Sequence, residues 1–456
     1  MQQSKLIALL KTFETKDFSL FEQYLLSPYF NSNAEILSLY QYIKVKIKLK
    51  THFLEKEYVY KQVFKKKKLD EKHLGYLMSF LLKQAENFIA QRLYDTNAFQ
   101  VKYNTALACL ERDLEKHYNY LILKLDTNES LSLENQYKLS FLEYNNFLKQ
   151  NIRKFDSRLQ NVSDKFDYYF IYVKLKYTCE ILNIEKSTGK KFQLQFIDEV
   201  VSFLDNNNTS YFLITLYFNI YKLLKNEVEK DFYYKAKDIF MKNHNAMIVE
   251  DKKDVLIHLN NYCARKIRQG NEIFLEEMWE NYGFNLQEKI LFEHGYLSEF
   301  SFKNHITLGV RLKKYKETEI LIKQASQLLR PEKSENALYF NMANLKFNEK
   351  KYDSALQILS KVNFNDIFYN MDTKVLMAKI YYETKEYEVL NAHLITFQSF
   401  IKRNTIISDE TKTGYLNFVD LLMKLANKNN MQSIIKKLDQ VQSIEAKAWL
   451  QTQIKV

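Results

Sequence analysis

No two of the seven glycines in this chain, at positions 75, 189, 270, 283, 295, 309 and 414, lie closer than twelve residues apart, and only two prolines accompany them in 456 residues. Multi-stranded sheets and barrels need many tight turns, and Gly and Pro build most of them. The scarcity therefore predicts helices throughout. It also excludes whole classes of chemistry. Phosphate-cradling loops, dinucleotide fingerprints and nucleophile elbows need glycines within a few residues of one another, where backbone must approach a ligand or take positive φ. The Gly189-Lys190 pair in EKSTGKKF lacks its opening glycine, because residue 184 is Ile.

Metal chemistry finds no better footing. None of the eight histidines has a Glu three residues before it, so the paired Glu-x-x-His of a helical di-iron centre is absent, as is His-Glu-x-x-His. DNNNTS, residues 205–210, resembles the opening of a calcium loop, but Ser210 stands where the sharp turn needs Gly and Leu216 where a bidentate acid belongs. Glu272, Glu276 and Glu280 form a ladder at four-residue intervals that reads as a solvated helix face. No cofactor, metal or catalytic residue is expected.

The hydrophobic content of 46% supports a substantial core, and the length would correspond to two to four compact domains. The formal charge is +12, yet only 9 of the 67 basic residues are Arg, the side chain that forks onto phosphates. Cys109, Cys179 and Cys263 are odd in number and far apart, the usage of reduced thiols. The apolar run Leu6–Leu10 is shorter than a signal-peptide core, and no later stretch approaches ~18 apolar residues. A soluble cytoplasmic protein without a membrane span is expected.

Ser32-Asn33-Ala34-Glu35 has the spacing of a capping box. The helix it opens carries a stripe, Ile36, Tyr40, Ile43 and Ile47, that runs into KVKIKLK, residues 44–50, which is therefore read as a basic helix end. A second long helix is expected from Asp70, with Leu74, Leu77, Leu81 and Phe88 on one face. FEQYLLSPYFNSN resembles the start of a group of uncharacterised bacterial helical proteins, a resemblance that covers about the first hundred residues and implies no activity. The expected layout is a helical head over 1–100, degenerate helical hairpins over 101–300, clearer repeats over 301–400 and capping helices over 401–456.

The clearer repeats rest on three tyrosines. Tyr315 in KKYKETEILIKQA, Tyr352 in KKYDSALQILSKV and Tyr387 in KEYEVLNAHLITF are each placed to open a helix, at intervals of 37 and 35 residues. With paired helices, this spacing resembles the tetratricopeptide repeat. The family's pattern falls on Tyr339, Met342 and Ala343 in one first helix and on Ala355, Leu359 and Val362 in its second. Met377, Ala378 and Tyr381 match in the following repeat, where Leu390 replaces a small residue, and Thr318, Ile322 and Ala325 match in the preceding one. The resemblance implies an all-α helical-repeat solenoid whose first helices line a concave surface.

By that resemblance the partner-binding face would carry Lys303, Asn341, Asn344, Phe347, Asn348, Lys379 and Tyr382. Family members that grip a terminal carboxylate use five Lys, Asn and Arg residues. Lys303 and Asn341 fit two of those places, whereas Thr307, Asp372 and Leu376 do not. The expected function is a non-enzymatic scaffold or adaptor for another protein or peptide. The alternative is nucleic-acid binding by the head. Lys44, Lys46, Lys48, Lys50 and Lys65 to Lys68 lie near Phe53, Tyr58, Tyr60 and Phe64, and residues 1–100 carry a balance of +6.

Overall fold

A computed structural model describes residues 1–49, 55–65, 68–126, 132–150, 155–226, 229–362, 367–404, 409–427, 431–440 and 443–454. Among these residues the protein is all-α, with 23 α-helices and a single hairpin of two-residue strands, Phe292–Glu293 and Tyr296–Leu297. Contacts divide it into two units, residues 1–172 and 173–456.

The first unit opens with helices α1 (Lys5–Leu10), α2 (Thr15–Leu26), α3 (Ala34–Lys48), α4 (Lys56–Phe64) and α5 (Glu71–Thr96). Their apolar stripes share one core: Ile36, Tyr40 and Ile43 from α3 meet Leu74, Leu77, Leu81 and Phe88 from α5. Each fully buried aliphatic side chain in it contributes about 1.5–3 kcal/mol. Asp70 caps α5 by accepting from the His73 amide at 3.0 Å, as the sequence predicts. The start of α3 differs. Its cap is Asn33, whose Oδ1 accepts from the Glu35 amide at 2.9 Å, in place of the predicted Ser32. Asn31, donating to the carbonyls of Leu25 and Asn33, holds the turn in the register that favours this cap. The unit continues through α6 (Ala98–Glu111), α7 (Glu115–Asp126), α8 (Leu133–Lys149) and the beginning of α9 (Arg158–Thr188).

The second unit takes the remainder of α9, then α10 (Ile197–Asn206), α11 (Phe212–Lys225), α12 (Asp231–Asn243), α13 (Val249–Arg268) and α14 (Ile273–Glu288). After the strand hairpin come α15 (Glu299–Arg311), α16 (Tyr315–Ala325), α17 (Pro331–Asn348), α18 (Tyr352–Leu359), α19 (Ile367–Glu383) and α20 (Tyr387–Arg403). Helices α21 (Asp409–Ala426), α22 (Met431–Gln440) and α23 (Lys447–Ile454) end it. Tyr315, Tyr352 and Tyr387 each open the second helix of a hairpin.

One turn joins these hairpins. Lys313, Lys350 and Lys385 are left-handed, with φ of 57°, 61° and 63°. The next amide reaches back five residues each time: Lys314 to Gly309, Lys351 to Lys346 and Glu386 to Tyr381, all at 2.9 Å. This is a Schellman closure, which satisfies carbonyls left open at a helix end. The same closure joins α13 to α14 through Gly270 and, in the first unit, α6 to α7 through Asp113. Four of the five turns thus manage without glycine. Small residues pack the clearest hairpin, where Ala343 and Ala355 are fully buried in one cluster. In the next, Leu390 takes the small residue's place and is fully buried beside Ala378.

Candidate partner-binding face

Helices α15, α17 and α19 are the first members of three successive hairpins. Their shared side holds a cavity of about 340 Å³, lined by Glu299, Phe300 and Lys303, by Lys333, Phe340 and Asn341, and by Tyr369 and Asp372. Local sequence places each group. Ser298 caps α15 by accepting from the Ser301 amide at 3.1 Å, which sets Glu299 and Phe300 in the first turn. Pro331 occupies the first turn of α17, where its missing N–H costs nothing, and Lys333 follows it.

Two further cavities adjoin. One of about 290 Å³ shares Glu299 and Lys333 with the first, and one of about 340 Å³ shares Phe300 with the first and Glu293 and Ser298 with the second. Phe300, 74% exposed, is the wall shared by the two cavities of about 340 Å³. Other large side chains are as open, among them Tyr29 and Phe155; what sets Phe300 apart is its place between two cavities.

The charges in the cavity are compensated across helices. Lys303 Nζ lies 3.4 Å from Asp372, Lys333 lies 3.9 Å from Glu299, and the Tyr369 hydroxyl donates to Glu299 at 3.4 Å. Tyr415 donates to the other Asp372 oxygen at 2.9 Å. Solvated pairs of this kind contribute at most about 1 kcal/mol each, so they are readily exchanged for a ligand's groups. No carboxylate clamp is assembled: Asp372 brings negative charge, Leu376 is buried, and Thr307 donates to the Lys303 carbonyl.

The seven residues expected at this face divide into three sets. Lys303 and Asn341 line the cavity, although Asn341 is only 3% exposed and donates its Nδ2 to Ala337. Asn344, Phe347 and Asn348 lie farther along α17; Asn348 donates to the Asn344 carbonyl at 2.7 Å, and Phe347 packs on Tyr352. Lys379 and Tyr382 are covered by Trp449 of α23, at 5.6 Å from ring to ammonium and 5.6 Å from ring to ring. Burial lowers the Lys379 pKa, and burial raises that of the Glu445 carboxyl with the help of nearby Asp372.

Sequence reasoning missed Glu299, Phe300, Lys333, Phe340 and Tyr369. The signal was present in helical spacing, since Glu299 stands four residues before Lys303 and Lys333 eight before Asn341.

The basic segments of the head look different. Lys44 is paired with Glu22 at 2.6 Å, Tyr60 is buried with its hydroxyl against His73, and Phe64 packs on Tyr60. Lys46 lies over the rings of Tyr42 and Tyr58. Lys50, Phe53, Lys66 and Lys67 fall outside the described residues.

Among the described residues no cluster of three or more His, Cys, Asp or Glu could hold a metal ion, and no helix is long and apolar enough to cross a membrane. Cys179 and Cys263 are buried free thiols, and burial raises the pKa of both, that of Cys263 to about 12.

Residues 298–390 match the family model described as the ARM repeat of tetratricopeptide repeat protein 21, a span that begins at the cap of α15 and ends in α20. No curated protein and no solved structure matches the chain. The matched span contains every residue lining the cavity across α15, α17 and α19. With its hairpins joined by one recurring turn, the chain is an all-α helical-repeat protein that is tetratricopeptide-like over residues 298–390.

Proposed function

We propose that this protein is a non-enzymatic scaffold that binds another protein through the shared face of α15, α17 and α19. The observation that carries the reading is the run of adjoining cavities around Phe300, an exposed aromatic flanked by loosely paired Lys and Glu/Asp side chains. Such a groove suits an extended or helical segment that offers an apolar anchor and charges of both signs. The repeat array supporting it includes the α13–α14 hairpin, closed by the same turn. Three free thiols are compatible with a reducing cytoplasm, where we place the protein.

The test compares proteins captured by the full chain with those captured by Phe300→Ser combined with Lys303→Glu. A partner lost from the variant, with helix content and melting unchanged, supports the reading. Equal capture by both chains overturns it.

A further inference from the structure

The cavity of about 340 Å³ between α13, α14, the strand hairpin and the start of α15 shares Phe300 with the partner-binding face. Asn260 of α13, Tyr282 of α14 and Ser301 of α15 line it, and each is more than nine-tenths buried, at 7%, 5% and 7% exposure. Fully buried Asn281 donates its Nδ2 to Asn260 Oδ1 at 3.1 Å and to the Tyr233 hydroxyl at 3.3 Å, which fixes the Asn260 carboxamide from behind. Among the described residues, Asn260 Nδ2 is then left without an acceptor. Tyr282 accepts from Asn304 Nδ2 at 3.1 Å and Ser301 accepts from the Ser298 hydroxyl at 3.0 Å, and neither hydroxyl has a described group to donate to. Three helices therefore bring three unspent donors to one cavity. Donors buried only for packing are nearly always paired, because leaving them unmet is costly.

We propose that this cavity receives the side chain of a glutamine from the partner segment. The carboxamide oxygen meets the donors of Asn260, Tyr282 and Ser301, and the two methylenes lie along Ile257, Phe292 and Phe300. The proposal rests on the reading of the α15, α17 and α19 side as the partner-binding face, and it names the residue the partner offers beside Phe300.

Unspent donors call for an acceptor, and the remaining lining selects which one. Its charged side chains are Lys253 and Glu293, whose signs cancel. A carboxylate would leave water for a lining with no net positive charge, a cost that neutral donors do not offset. A carboxamide is neutral, and while its oxygen accepts, its NH2 can donate to Glu293. Asparagine and serine are too short to use the apolar wall as well as the donors.

The experiment selects a phage-displayed library of random twelve-residue peptides on the full chain, keeping those that bind the wild type and not Phe300→Ser combined with Lys303→Glu. The kept peptides are expected to share one glutamine. In a synthetic, fluorescein-labelled copy, glutamate in place of that glutamine is expected to weaken binding at least about 10-fold. On the protein, Asn260→Asp keeps the acceptor for Asn281 and replaces the free donor with a second acceptor, so it is expected to weaken the glutamine peptide at least about 10-fold with melting little changed. Tyr282→Phe is expected to weaken it at least about 3-fold.

Kept peptides that share no glutamine overturn the proposal, as does equal affinity of the peptide for Asn260→Asp and wild type. Should Asn260→Asp not fold, Tyr282→Phe decides alone, and unchanged affinity overturns the proposal. Failure of the face itself is distinguishable: no peptide would then separate the wild type from the Phe300 and Lys303 variant, and both readings fall together.

Discussion

Over the first turns of α15 the first-helix face is open, with Phe300 in solvent and Lys303 on a long ion pair; toward the end of α19 Lys379 and Tyr382 lie beneath Trp449. At the open end, side chains are exposed at little cost to the fold, because the core of α15 lies on its other side with Phe302 and Ile306. At the covered end, Trp449 belongs to a core shared with Phe418 and Leu390. The difference teaches that one side of a row of hairpins can be left open along one stretch and given to cohesion along another. Spacing alone cannot tell these roles apart.

The largest effect expected is acid sensitivity beneath the open end. His305 lies on the inner side of α15 against Trp279 and Tyr282, neither ring nitrogen has a hydrogen-bond partner, and burial depresses its pKa from 6.5 to about 4. The unfolded state therefore binds the extra proton first. The stability this neutral imidazole contributes is fully present above pH 6.5 and lost as pH falls to about 4, roughly 3 kcal/mol in all. Melting temperatures followed across that window should fall more steeply in the wild type than in His305→Gln. At the covered end, His393 has a partner in the Lys374 carbonyl at 2.8 Å. Equal slopes for the two proteins would break the contrast.

Next in size are two packing changes of about 2 kcal/mol, read by denaturant titration. Gly309→Ala places a methyl against the Thr318 hydroxyl and the Trp279 ring, which seat α15 under the open face. Trp449→Ala removes the cover from Lys379 and Tyr382, and the half-buried indole loses part of the cost of a full core truncation. By contrast, Phe300→Ser should lie within about 0.5 kcal/mol of wild type. A loss at Phe300 as large as that at Trp449 would erase the distinction between the two ends.

The smallest expected shift is a gain. Lys350 is left-handed in the α17–α18 turn, a conformation costing an L-residue about 1 kcal/mol relative to Gly, so Lys350→Gly should stabilise by up to about 1 kcal/mol in the same titration.

Much of the repeat was legible because its cause is local. A Tyr two residues past each turn, with Ala343 and Ala355 behind it, reports helix pairing through side-chain size and period. The head was legible for the same reason, since the stripes on α3 and α5 are faces of single helices. Ser32 misled because the Asn31 bonds that shift the cap by one residue reach back to Leu25, beyond the window of a capping motif. Glycine scarcity correctly pointed to helices, but it concealed that Lys and Asp take the left-handed turn positions. Tertiary packing meets that small cost.

Sequence by itself determined that this protein is all-α, with paired helices repeating in its later part, because period, residue size and the lack of turn formers act within a few residues of chain. Only the tertiary structure decided which part of the repeated face is free. Glu299, Lys333 and Asp372 come from three different helices, and the cover over Lys379 arrives from Trp449, seventy residues later. Such neighbours are chosen by the packing of whole helices, and no local pattern encodes them.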